Sequence, residues 1–248
     1  WIDAYARHLP PGSGPVAEAA PDEPPPLDLL VGFARTGTTM LEQMLAAHPE
    51  VCTTGERPVV QRLKRTLGGL ADDPDAFARH VARLDGPALG GLRRRLAAIA
   101  REEAEGDAPR IVHKHPMDAI ELPLLERLVP DARVLVTGRD PRDVCVSCLK
   151  QRFVPNMTNV HFLEPGATVA LQERVIDAWI ARRDALRCRW REVWYETVVA
   201  DPEAEARAIL EFLDLPWNDA VLAFQRQARD RWISTPSAGA VRGAVHRR

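Results

Sequence analysis

The chain has 248 residues, 46% of them hydrophobic, and a formal net charge of −2. That is apolar material for one large α/β domain or two small ones, and nothing in the balanced charge argues for a nucleic-acid or membrane-surface partner. Four cysteines are too few for a disulfide framework at this length, and no run of eighteen apolar residues can span a bilayer, so a globular protein of a reducing, cytoplasmic compartment is expected.

The chain opens on Trp1 rather than methionine, so a segment upstream is expected. Residues 1–26 carry Pro10-Pro11-Gly12-Ser13-Gly14-Pro15 and then Pro24-Pro25-Pro26, which predicts an extended linker before a folded domain at 27–248. The run Leu29-Leu30-Val31-Gly32-Phe33 predicts a first strand, about Leu27 to Phe33. Gly32 and Gly37 bracket a tight loop, and Thr38-Thr39 open an amphipathic helix that ends near Ala47-His48-Pro49. Strand, glycine loop and helix N-terminus together make a cradle for a phosphate or sulfate. Thr38 stands where a nucleoside-triphosphate P-loop has its lysine, whereas Arg35 inside the loop offers a planar fork to a tetrahedral anion.

From Pro58 to about Glu105, Leu, Arg and Ala recur at helical spacing with breaks at Gly68-Gly69, Pro74 and Gly86-Pro87, which predicts two or three surface-lying helices. Within them Arg93-Arg94-Arg95 reads as a solvated face. A second strand is predicted at Arg110–His113, a helix from Asp118 to Val129, and a third strand at Arg133–Thr137. Another helix follows Gly138-Arg139-Asp140-Pro141, with Cys145 and Cys148 one turn apart on it and read as packing residues rather than a metal or redox pair. Ala167 to Arg187 puts Leu171, Val175, Ala178, Trp179, Arg182 and Leu186 on one helical face. The strand Glu192–Tyr195 and a helix capped near Asp201-Pro202 follow. This β-α-β alternation predicts an α/β fold with a central, mainly parallel sheet flanked by helices.

Taken together, the glycine loop, the end of the second strand and Gly138-Arg139-Asp140-Pro141-Arg142-Asp143 resemble the P-loop sulfotransferases. The sequence looks closest to the branch holding protein-tyrosine sulfotransferases and bacterial sulfotransferases fused to tetratricopeptide repeats, which allows a repeat domain upstream. The resemblance implies transfer of a sulfuryl group from 3′-phosphoadenosine 5′-phosphosulfate (PAPS) to an acceptor hydroxyl or amine, with no metal required. It implies a 5′-phosphosulfate loop at Arg35, Thr36, Gly37, Thr38 and Thr39, in which Ala34 and Thr36 replace the family's usual proline and serine. Arg139 and Ser147 match the 3′-phosphate motif, and Tyr195 the tyrosine that contacts the nucleotide. Ser237 and Arg242 resemble the segment that covers the nucleotide, although the sequence stops soon after them.

For catalysis the resemblance offers two bases. Glu56 matches the glutamate of the protein-tyrosine branch, with Lys114 stabilising charge, while His113-Lys114-His115 can also be laid on the Lys-x-His of the small-molecule branch, making His115 the rival. Two other functions stay open from residues alone: a nucleotide or small-molecule kinase on the same scaffold, and a non-catalytic nucleotide-binding module.

Overall fold

A computed structural model describes residues 1–18, 27–151, 153 and 159–224. Five strands form one sheet: β1 (Asp28–Gly32), β2 (Val51–Thr53), β3 (Arg110–Lys114), β4 (Arg133–Gly138) and β5 (Arg189–Trp194). Their order is β2-β3-β1-β4-β5 and every neighbouring pair is parallel. Parallel neighbours need crossovers over the faces, which is why β1 is buried along its whole length and, after Asp28, reads as a run without polar residues, Leu29 to Gly32.

The helices are α1 (Ile2–His8), α2 (Thr38–Ala46), α3 (Val59–Arg65), α4 (Pro74–Ala82), α5 (Gly86–Glu103), α6 (Leu122–Leu128), α7 (Pro141–Leu149), α8 (Pro165–Arg183), α9 (Tyr195–Ala200) and α10 (Pro202–Phe212). Alternation along β1 divides the core. Leu29 and Val31 face one layer with α1, α3 to α6 and Trp179 of α8, while Leu30 faces the other with α2, α9 and α10. The chain turns from β1 towards β2 and β3, then passes β1 again to reach β4. The carboxyl ends of β3, β1 and β4 therefore border the point where strand order reverses, the usual ligand crevice of such sheets. At the opposite edge the buried Asp28 carboxylate ties three strands together, accepting from Arg110 Nη1 at 2.6 Å and from the Arg133 backbone N–H at 2.9 Å.

The structure corrects several local expectations. Residues 2–8 are not linker: Tyr5 and Leu9 lie in the core, Trp1 meets Phe77 edge-on at 5.3 Å, and Ala17 N–H donates to the Arg127 carbonyl. The apolar residues at 1, 5 and 9 form a helical stripe that the proline count obscured. Residues 19–26 lie outside the described residues. The helices between Pro58 and Glu105 do not merely coat the surface, since Leu63, Phe77, Leu89 and Leu96 are all buried. Arg93 is likewise buried, paired with Asp131 through 2.5 and 2.9 Å bonds, and is not a solvated face. The helix expected from Asp118 to Val129 begins as a 3-10 turn, Pro116–Glu121, and becomes α-helical only at Leu122. Tyr195 opens α9 rather than ending β5, and β2 was not anticipated.

Candidate active site

The loop after β1 is built on two unusual backbone angles, φ +69° at Arg35 and +97° at Gly37. A side chain at 37 would also put its Cβ 2.8 Å from Tyr195 Cδ2, so glycine is required both for conformation and for close approach. Thr36 Oγ1 lies 2.6 Å from both the Phe33 carbonyl oxygen and Thr137 Oγ1. That hydroxyl ties the loop to β4. Buried hydroxyls find partners, and these two were the nearest. Thr38 and Thr39 are buried in the first turn of α2, behind a glycine that supplies no side-chain cap.

Tertiary contacts join the loop to the second motif. Arg35 Nε donates to Ser147 Oγ at 3.0 Å, and Arg139 Nη1 donates to the Arg35 carbonyl at 3.3 Å. The Arg139 guanidinium sits 4.3 Å from the centre of the Tyr195 ring, and its buried Nε has no hydrogen-bond partner. Burial draws the pKa of Arg35 down, and the charge of Arg139 adds to the effect while Cys148 and Glu56 oppose it. Two guanidiniums, a hydroxyl and an aromatic ring thus converge at the carboxyl ends of β1, β4 and β5. A multiply charged anion is what such a cluster stabilises best.

Beside it Lys114, fully buried at the end of β3, holds two carboxylates: Glu56 Oε1 at 2.9 Å and Glu42 Oε2 at 3.0 Å. A buried ammonium requires such partners. Burial pushes the Glu42 carboxyl up and Lys114 counters it; Glu56 keeps about a third of its side chain exposed. Sequence reasoning missed Glu42. The one available signal was an acid beside the inward stripe Leu41, Met44, Leu45 of α2.

Asp118 organises the two histidines. Its Oδ2 accepts from His113 Nε2 at 2.9 Å, and Oδ1 lies 3.1 Å from Gln61 Nε2 and 3.0 Å from His115 Nδ1. The last approach is badly angled for a hydrogen bond, so attraction between charges carries it. Burial alone would raise the pKa of Asp118, but both imidazoles outweigh it and hold the carboxyl well below its ordinary range. For His115 burial lowers the pKa, and Asp118 and Glu56 reverse this to a net rise against the opposing charge of Lys114. Behind this cluster Glu121 accepts from Lys64 Nζ at 2.8 Å and Tyr5 Oη at 2.5 Å, which links α1 to the site.

Cys148 packs in the cluster around Phe33 and Val144, and burial pushes its thiol up to about 11, in keeping with a packing role. Among the described residues no group of three or more His, Cys, Asp or Glu is placed to hold a metal. Ser237 and Arg242 lie outside the described residues.

Fold and site first define a class: a parallel α/β protein whose opening crossover carries an anion-binding loop. The chain belongs to the sulfotransferase family, whose model matches residues 29–219. It is 29% identical over 205 residues to protein-tyrosine sulfotransferase A of Caenorhabditis elegans, covering 79% of this chain and 52% of that protein. Against the Drosophila melanogaster protein-tyrosine sulfotransferase the identity is 28% over 199 residues, 79% of this chain and 40% of the relative. An uncharacterised Aquifex aeolicus protein is 27% identical over 231 residues, 88% of this chain but 29% of its own length. The chain therefore spans about half or less of these relatives. The sulfotransferase domain of the Synechococcus PCC 7002 olefin synthase shares the fold with a TM-score of 0.50 at 20% identity, over 91% of both chains. The sulfotransferase domain of the curacin biosynthetic pathway gives 0.52 at 19%, over 81% and 78%. No helix among the described residues is long and apolar enough to cross a membrane.

Proposed function

We propose that the chain transfers a sulfuryl group from PAPS to a hydroxyl-bearing acceptor. The observation that carries this reading is the bond from Arg35 to Ser147, with Arg139 against the same loop: motifs 112 residues apart meet at one anion-binding point. PAPS when bound supplies an activated sulfuryl group with a phosphate as leaving group. Arg35, Arg139 and Ser147 hold its anionic ends, and Tyr195 gives the nucleotide a packing surface.

Glu56 takes the acceptor proton, and Lys114 stabilises the charge that builds on the transferring oxygens. His115 faces the buried Asp118 carboxylate at 3.0 Å, which raises its pKa, and we assign it a supporting place beside Glu56 rather than the role of base. The protein-tyrosine sulfotransferases among the relatives support a tyrosine hydroxyl as the first acceptor to try, and the four free cysteines support a reducing compartment.

The test begins with calorimetric titration of 3′-phosphoadenosine 5′-phosphate. Arg139→Ala loses a charge-assisted contact of roughly 1.5–3 kcal/mol, so binding should weaken about tenfold to a hundredfold. Transfer of radiolabelled sulfate from PAPS to tyrosine peptides and phenols follows. Tighter binding of ATP with magnesium, or nucleotide binding without transfer to any acceptor, overturns the proposal.

A further inference from the structure

A cavity lies on the α8 side of the sheet. Its volume is about 210 Å³, and its walls are apolar: Phe33, Val136, Val175, Trp179, Ile180 and Trp194. Engineered apolar cavities of about 150 Å³ take up benzene, so this one has room for a larger ring system. The flat walls are set in place before any guest arrives. Trp194 packs on Gly138, where an added Cβ would lie 3.0 Å from the indole, and Trp179 meets Trp190 edge-on at 5.1 Å while its Nε1 donates to Glu192.

The polar groups that line the cavity decide what kind of guest fits. Gln172 lines the cavity at 2% exposure, and its Oε1 has no hydrogen-bond partner. A buried amide oxygen without a donor costs about 1–3 kcal/mol, which a ligand N–H or O–H recovers. Thr36 and Thr137 at the base already engage each other. At the mouth Arg183 is paired with Glu192 at 3.0 Å, and the Arg139 guanidinium, which also lines the cleft, is engaged by the Tyr195 ring at 4.3 Å and by Asp143 at 3.4 Å, so both cations are already partnered. Ile180 and Trp194 remain about half exposed, which gives access from solvent.

We propose that this cleft binds a neutral bicyclic aromatic molecule with one hydrogen-bond donor, of the size and chemistry of indole, its ring between Trp179, Trp194 and Ile180 and its donor on Gln172 Oε1. Glu56 and Lys114 do not line the cleft, so it is a site separate from the acceptor seat, and the proposal stands whether or not the chain transfers sulfate. The cleft does share Thr36 and Arg139 with the anion site, which puts a guest in contact with the loop's supports.

Calorimetric and ligand-observed NMR titrations of the full chain with indole and with indene, its donor-free isostere, test this. Wild type should bind indole saturably and about tenfold more tightly than indene. Gln172→Leu should abolish that preference while keeping indene binding. Ile180→Arg, at an exposed position that folding tolerates, should weaken both ligands. Absence of saturable indole binding, an indole preference that survives in Gln172→Leu, or unchanged binding to Ile180→Arg overturns the assignment.

Discussion

Replacing Asp118 by asparagine should reveal a charge cluster whose worth depends on pH. Asparagine keeps the shape and can still accept from Gln61, but it removes the negative charge that faces His113 and His115. A histidine whose folded pKa lies above its unfolded value near 6.5 stabilises the fold fully below that pH, and the contribution is lost as pH rises through the folded value. His115 is such a group. Asp118 runs the other way: its depressed pKa contributes stability above about 3.8 that is lost only as pH falls through its lower folded value. Around pH 6 both contributions are present. Breaking a buried pair from one side costs about 3–5 kcal/mol, and the lower end is expected here because His115 can release its proton. At a pH above the folded value of His115, where the imidazole is neutral in both proteins, the remaining loss is the weakened bond to His113, about 1–2 kcal/mol. Urea unfolding at the two pH values measures the difference, and NMR titration of the imidazoles identifies its source. An equal loss at both pH values, or a wild-type His115 that titrates below 6.5, would refute the reasoning.

Glu56→Gln keeps the bond to Lys114 but removes the base, so turnover should fall about a hundredfold or more while nucleotide affinity stays within a factor of a few, whereas His115→Ala should do much less. The opposite ranking in steady-state kinetics would make His115 the base. Gly37→Ala forces a Cβ onto Tyr195 at a positive φ, strain of about 1–3 kcal/mol, so nucleotide binding should weaken at least tenfold by calorimetry. Tyr5→Phe strips a donor from buried Glu121 at a cost of about 1–3 kcal/mol; thermal unfolding should drop by about 2–4 °C per kcal/mol, and an unchanged midpoint would mean α1 is not integral to the domain.

Local chemistry determined a good deal from the sequence alone. The apolar run Leu29–Val31 of β1, glycine at 37 and proline at the first turn of α7 each restrict the backbone at their own position, so strand, loop and helix were legible in order, and with them the parallel sheet. Glu56, Lys114, Arg139 and Ser147 were legible only as motif positions. Their partners were not. Glu42 with Lys114, Arg35 with Ser147, Arg93 with Asp131 and Tyr5 with Glu121 join residues from 38 to 116 positions apart. Periodicity says which face of a helix is apolar, and nothing about which distant charge will meet it there. Helix α1 reads as linker when the prolines of residues 1–26 are weighed together, although every one of them follows the helix and its apolar stripe lies within residues 1–9. Tertiary packing alone could turn the Thr36 hydroxyl inward, bury Arg93 and leave Gln172 facing a cavity, because each outcome depends on excluded water and on which partners, if any, come within reach.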